Sequence, residues 1–249
     1  MSAGSQGSGS YLPILKLDST AISEHVLVCG DPARAETIAS RLRNARELSY
    51  NREYRVFSGT AGTTPVTVAS HGVGAAGAAV CFEELIRGGA RRLLRVGTAG
   101  SLAPQQVRDG DIVISTAAVR GDGLTDQLVA PPFPAVADPE LTAQLSRAAA
   151  SRSPKVARGI VLTVGAFYGG VDELPNNYYS RAGVLAVEME AAALFVIASL
   201  RGVAAAGIFA IDGIAVDFDA AAYDPHRDVV SEAIEESIDI AVSVFEGEH

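Results

Sequence analysis

His25-Val26-Leu27-Val28-Cys29-Gly30-Asp31-Pro32-Ala33-Arg34 passes from an unbroken apolar run through a glycine turn to a helix start. A run without polar alternation suits a strand buried on both faces. Pro32 then falls where the first helical turn has no partner for an amide proton, so residues 33–42 continue as a helix.

The same order of strand, glycine turn and helix recurs downstream. Residues 66–70 are strand-like, Gly72-Val73-Gly74 turns, and 75–86 read as a helix; 92–96 give a further strand that ends in Gly97-Thr98-Ala99-Gly100. Strands are expected at 111–119, 159–164, 184–187 and 204–211, and helices at 139–150, 191–200 and about 227–245. The proline-bearing stretch 122–138 reads as a long surface loop. Apolar strands alternating with helices predict an α/β fold, a three-layer α/β/α sandwich around a central mixed β-sheet. Ligands of such sheets collect at the carboxyl ends of the strands.

At 249 residues and 48% hydrophobic side chains, a single domain over 11–249 is expected, preceded by a small, polar, flexible tail over 1–10. That tail has neither the basic start nor the apolar stretch of a signal peptide or membrane anchor. A net charge of −9 disfavours nucleic acid and anionic membranes as partners. Cys29 and Cys81, the two cysteines, lie in apolar runs as buried thiols do, which points to the cytoplasm.

Three strand ends combine glycine with a polar or basic residue: Gly30 with Arg34, Gly72 to Gly74, and Arg95 with Gly97-Thr98. Glycines let backbone N–H groups approach an oxyanion, helix N-termini add a favourable dipole, and guanidinium groups grip two oxygens at once. Taken singly, each position fits an ordinary turn or a surface ion pair equally well.

Together, in this order, Gly30-Asp31-Pro32-Ala33-Arg34, Arg95-Val96-Gly97-Thr98-Ala99-Gly100, Asn51-Arg52-Glu53-Tyr54 and Val187-Glu188-Met189-Glu190-Ala191 resemble the nucleoside phosphorylase family. The resemblance covers nearly the whole chain after the tail and is nearest the uridine phosphorylase type, as Ser115 to Arg120 and Ala130 to Asp138 also suggest. It implies reversible phosphorolysis of a nucleoside to nucleobase and (deoxy)ribose 1-phosphate, with inorganic phosphate as co-substrate and no cofactor or metal. Gly30, Arg34, Arg95 and Thr98 would then bind phosphate, with Arg52 reaching into a neighbouring subunit's site; a homodimer, assembled further into a hexamer, follows. Thr98, Met189 and Glu190 would hold the ribose.

The base site departs from the uridine type. After Phe167-Tyr168-Gly169-Gly170, Val171 and Glu173 stand where a glutamine and an arginine read uracil, and the N-terminal histidine is replaced within Tyr11 to Leu15. Phe167, Val171 and Glu173 are the expected base-binding positions. Purine-cleaving relatives use an aspartate to protonate N7 of the leaving base, and Asp212 lies about one residue from that place. With Arg34 and Arg95 it completes the candidate catalytic set. A purine nucleoside phosphorylase, a nucleosidase using water, and a nucleoside-binding module without turnover are the alternatives.

Overall fold

The computed structural model describes residues 9–150, 156–216 and 223–247. Of the expected tail, 1–8 lie outside the described residues, while Ser10 exchanges backbone and side-chain hydrogen bonds with Ser19. The first half holds β1 (Tyr11–Leu12), β2 (Leu17–Asp18), β3 (His25–Cys29), α1 (Pro32–Ala39), β4 (Arg43–Asn51), β5 (Tyr54–Ala61), β6 (Thr64–Ser70), α2 (Ala75–Arg87), β7 (Arg92–Ser101) and β8 (Ile112–Gly121). The second half holds α3 (Thr125–Leu128), β9 (Ala135–Val136), α4 (Pro139–Ala150), β10 (Val156–Val164), α5 (Asn176–Arg181), β11 (Ala186–Glu188), α6 (Ala191–Arg201), β12 (Ala204–Ile214) and α7 (Asp228–Glu246).

The main sheet is mixed and runs β11-β10-β8-β12-β7-β3-β6-β5-β4, with β9 added beside β8. β11 pairs parallel with β10 and antiparallel with β7, so β7, β12, β8, β10 and β11 close into a ring. β3, β6, β5 and β4 extend from β7 as an open wing.

Alternate side chains of the central strands feed two cores. Val26, Val28 and Leu93 pack with Phe82 and Leu85 of α2 and with α6, whereas Leu27, Cys29 and Leu94 pack with α1, α4 and α7. Each fully buried leucine of this kind contributes about 1.5–3 kcal/mol. The three expected layers are therefore present, with helices on both faces of a mixed sheet.

Besides β1, β2 and α5, which the sequence reading did not place, and β7, which runs on through Gly97 to Ser101, two regions differ from that reading. β4 is mostly exposed and its register against β5 shifts twice, so no apolar period announces the β4–β5 hairpin. The stretch 122–138 holds α3 and β9 instead of a bare loop. Arg120 organises it: the guanidinium donates to the carbonyl oxygens of Ala130 at 2.8 Å and Phe133 at 2.7 Å, and pairs with Asp126 at 2.8 Å.

The turn after β6 needs glycine. Gly72 has φ +72°, and a Cβ there would stand 2.7 Å from Cγ of Glu53. Gly72→Ala is expected to lose about 1–2 kcal/mol of stability through the left-handed backbone alone. Denaturant unfolding measures this, and a variant as stable as the parent would show that the turn tolerates another conformation.

Candidate active site

A cavity of about 660 Å³ opens at the carboxyl ends of the central strands. Its wall includes Gly30 and Arg34 from the β3–α1 turn, Arg95 and Thr98 from β7, and Phe167 beyond β10. Met189 and Glu190 between β11 and α6, and Asp212 from β12, complete it. The topology thus gathers most of the expected site residues in one place.

Arg95 lies at its centre and is almost wholly buried. Phe209 supports the guanidinium from one side, 5.3 Å from carbon to ring centroid. Gly97 leaves room for it, since a Cβ there would be 3.1 Å from Nη2. Nε and Nη2 donate to Oε2 of Glu188 at 3.3 and 3.2 Å, Nη2 also pairs with Glu190, and Nη1 contacts Nε2 of His71 at 3.0 Å. A guanidinium has five donors, so one N–H of Nη1 is left for a bound anion.

Glu188, which also lines the cavity, anchors this arrangement. It accepts from the Thr163 hydroxyl at 2.6 Å, from the Glu190 amide at 2.8 Å and from the Ala191 amide at 2.9 Å. A carboxylate on the first amides of α6 gains both charge-assisted hydrogen bonds and the helix dipole. Glu190 faces the cavity side and accepts the Gly74 amide at 2.5 Å. Burial raises its pKa; Arg95 opposes that shift and the nearby Glu188 adds to it.

The two helix starts expected to offer amides to phosphate are engaged by the protein's own carboxylates. Asp31 caps α1 by accepting the Ala33 amide at 2.8 Å, and Gly74, at the head of α2, donates to Glu190. Arg34 makes no hydrogen bond or ion pair among the described residues, although it lines the cavity. Arg41, Arg55, Arg120 and Arg201 all pair with surface carboxylates. A half-buried guanidinium with no ion pair among the described residues, lining the same cavity as Arg95, adds positive charge suited to an anion.

Asp212 sits at a register shift between Ile211 and Gly213 of β12, a bulge that turns its side chain to the cavity. Tyr223 donates to its Oδ2 at 2.8 Å, and the Thr98 hydroxyl also bonds to it. Burial raises its pKa above the ordinary aspartate value, while the Tyr223 and Thr98 hydrogen bonds and the Arg34 cation act the other way. Phe167 stands at the mouth, its ring 5.8 Å from that of Tyr223.

Two residues expected in the base site are not brought to this cavity, and Arg52, expected to serve a neighbouring subunit, does not line it either. Val171 is fully exposed and Glu173 is exposed, both on the loop before α5, while Leu174 of that loop and Asn176 at the start of α5 line the cavity instead. Arg52 is exposed at the tip of the β4–β5 hairpin with φ 57°, an uncommon backbone for a residue other than glycine. Its neighbour Glu53 reaches the cavity.

Residues 24–246 match the family model described as Phosphorylase superfamily. The chain belongs to the phosphorylase superfamily. Within it, the chain is 39% identical to a purine nucleoside phosphorylase of Plasmodium vivax over 230 residues, 92% of this chain and 93% of that protein. It is 37% identical to a uridine phosphorylase of Treponema pallidum over 207 residues, 79% and 80% of the two chains. The purine nucleoside phosphorylase of Toxoplasma gondii, solved in complex with immucillin-H, superposes with a TM-score of 0.89 at 32% identity, covering 98% of this chain and 97% of that one.

The chain is therefore a member of the nucleoside phosphorylase family, whose enzymes are pentosyltransferases. Glu188, Glu53 and Tyr223 were missed as site residues by sequence reasoning, whereas His71, at a strand end between Ser70 and Gly72, could be read as facing the pocket. Glu188 was inside the quoted Glu-Met-Glu segment, and Glu53 stood beside Arg52, so adjacency was the available signal. Tyr223 carried none, because its contact with Asp212 depends on how the chain returns after β12.

Proposed function

We propose that this enzyme catalyses phosphorolysis of purine nucleosides. The observation that carries the reading is Asp212, a buried carboxyl with a raised pKa, facing the cavity and bonded to Tyr223 and Thr98. Such a group can stay protonated and act as a general acid. Val171 and Glu173, outside the cavity, supply no uracil-reading pair.

In this reading phosphate lies against Gly30, Arg34, Arg95 and Thr98, with Arg52 added from a neighbouring subunit. Glu190 accepts from the ribose hydroxyls and Met189 packs on the sugar. The bond between C1′ and N9 breaks with its electron pair moving into the purine, Asp212 gives its proton to N7, and a phosphate oxygen bonds to C1′. Proximity and the phosphate charge stabilise the cationic sugar as the bond opens. Phosphate is a co-substrate, and no cofactor or metal takes part.

The exposed Arg52 beside the cavity-lining Glu53 supports a homodimer as the minimal unit, with a hexamer as the larger assembly. Two free, buried cysteines suit residence in the cytoplasm. No helix among the described residues is long and apolar enough to cross a membrane.

The deciding experiment is base release from inosine, guanosine, adenosine, uridine and thymidine, each with and without phosphate. Phosphate-dependent release from a purine nucleoside, with ribose 1-phosphate as the second product, is expected. Preference for uridine would overturn the purine assignment; release without phosphate would mean a nucleosidase, and binding without release a nucleoside-binding module.

The pH profile offers a check on Asp212. Tyr223→Phe removes a hydrogen bond that favours the ionised carboxylate, so the proton is held to higher pH. The alkaline limb of kcat/KM for a purine nucleoside should therefore move upward. A limb that stays in place or moves down would show that another group sets it.

A further inference from the structure

His71 follows β6, is wholly buried, and stands edge-on to Phe82 with ring centroids 5.2 Å apart. Its Nε2 lies 3.0 Å from Nη1 of Arg95. A guanidinium can only donate, so this nitrogen accepts and the ring hydrogen sits on Nδ1. Nδ1 in turn donates to the carbonyl of Gly72 at 2.8 Å. Burial, reinforced by the Arg95 and Arg34 cations, holds the imidazole neutral well below the usual histidine range.

The contact falls on a particular corner of Arg95. Glu188 and Glu190 take the Nε and Nη2 edge, whereas His71 takes one N–H of Nη1 and thereby aims the other, which has no partner among the described residues. The same imidazole holds the Gly72 carbonyl, which lies 3.3 Å from where a Cβ on Gly30 would be. The Gly72 amide donates to the Gly30 carbonyl at 2.9 Å. His71 thus joins Arg95 to the turn that carries Arg34.

We propose that His71 is a positioning residue for the anion half of the site, orienting the remaining Nη1 N–H of Arg95 toward phosphate. It acts through Arg95 and does not itself touch substrate. The proposal rests on the reading that Arg95 contacts phosphate.

Two substitutions separate the two contacts of the ring. His71→Gln returns an acceptor near the position of Nε2 but not the Nδ1 donor; His71→Asn returns a donor toward Gly72 and leaves Arg95 without its acceptor. With phosphate and nucleoside varied independently, His71→Asn is expected to raise KM for phosphate by about ten- to a hundredfold, the scale of one charge-assisted hydrogen bond. KM for the nucleoside should move less than about threefold, and His71→Gln should stay near the parent in phosphate KM. Equal phosphate KM in the two variants, the reverse order, or a parallel rise in both KM values would overturn the positioning role.

Calorimetric titration with inorganic phosphate, run on the parent and both variants, keeps the two readings apart. A parent that binds phosphate without releasing base would overturn phosphorolysis, while the order of the phosphate Kd values would still decide for or against His71. A parent that neither binds phosphate nor turns over with it would overturn both.

Discussion

Arg95→Ala is expected to lower kcat/KM for phosphorolysis by about 10³-fold or more, the scale seen when a charged donor to a reacting phosphoryl or oxyanion group is removed. Two effects combine. The anion site loses its buried cation, and Glu188 and Glu190 are left facing each other in a desolvated pocket. Stranding one side of a buried ion pair costs about 3–5 kcal/mol, so the variant should also unfold at lower temperature. Arg95→Lys tests the geometry separately, because a point charge cannot serve His71, Glu188, Glu190 and phosphate from one planar fork. It should retain more stability than the alanine variant yet remain clearly impaired in phosphate KM. A folded Arg95→Ala enzyme within tenfold of the parent would remove Arg95 from the phosphate site.

Asp212→Asn should have the second large effect, and a selective one. Loss of a general acid is worth about 10²–10⁴-fold, so turnover of inosine or guanosine should fall by that order. A purine nucleoside already methylated at N7 releases its base without a proton, and its turnover should fall by less than about tenfold. Equal losses on both substrates would mean that Asp212 does something other than protonate the base. Stability should not suffer. The folded pKa of Asp212 is raised, so ionisation opposes folding at pH values above the ordinary aspartate pKa. Asparagine removes that penalty, and the variant should be at least as stable as the parent at neutral pH.

Much of this architecture was legible because burial writes itself into periodicity. His25 to Cys29 and Arg92 to Val96 read as strands since both faces are covered, and the glycines after them mark the cavity end of the sheet. The β4–β5 hairpin was illegible because its outer strand is solvated along most of its length and carries no apolar pattern. α3 and β9 were hidden for another reason: their order comes from Arg120, whose partners lie beyond any local period. In the site, Arg34, Arg95, Thr98, Met189, Glu190 and Asp212 could be named from motifs. The pairing of Arg95 with both glutamates and with His71 could not, because it joins β7 to β6, β11 and α6 across long stretches of chain. Val171 and Glu173 were placed by counting from an aromatic turn, and counting fails where the loop carries them outward.

The ring formed by β7, β12, β8, β10 and β11 has a bearing on how the enzyme becomes active during its own synthesis. One seam pairs Ala186 with Ser101 and Val187 with Gly100, with Glu188 and Glu190 directly beyond, and another pairs Ala204 with Arg92. Contacts of such high sequence separation form late, because the entropy of closing the intervening chain must be met first. A nascent chain that has completed β10 already owns Arg34, His71, Arg95 and Thr98, yet it lacks Glu188 and Glu190, so nothing opposes the charge of Arg95 and only His71 aims it. The buried ion-pair centre of the site therefore assembles only when the ring shuts, and shorter ribosome-bound chains hold its parts without their arrangement.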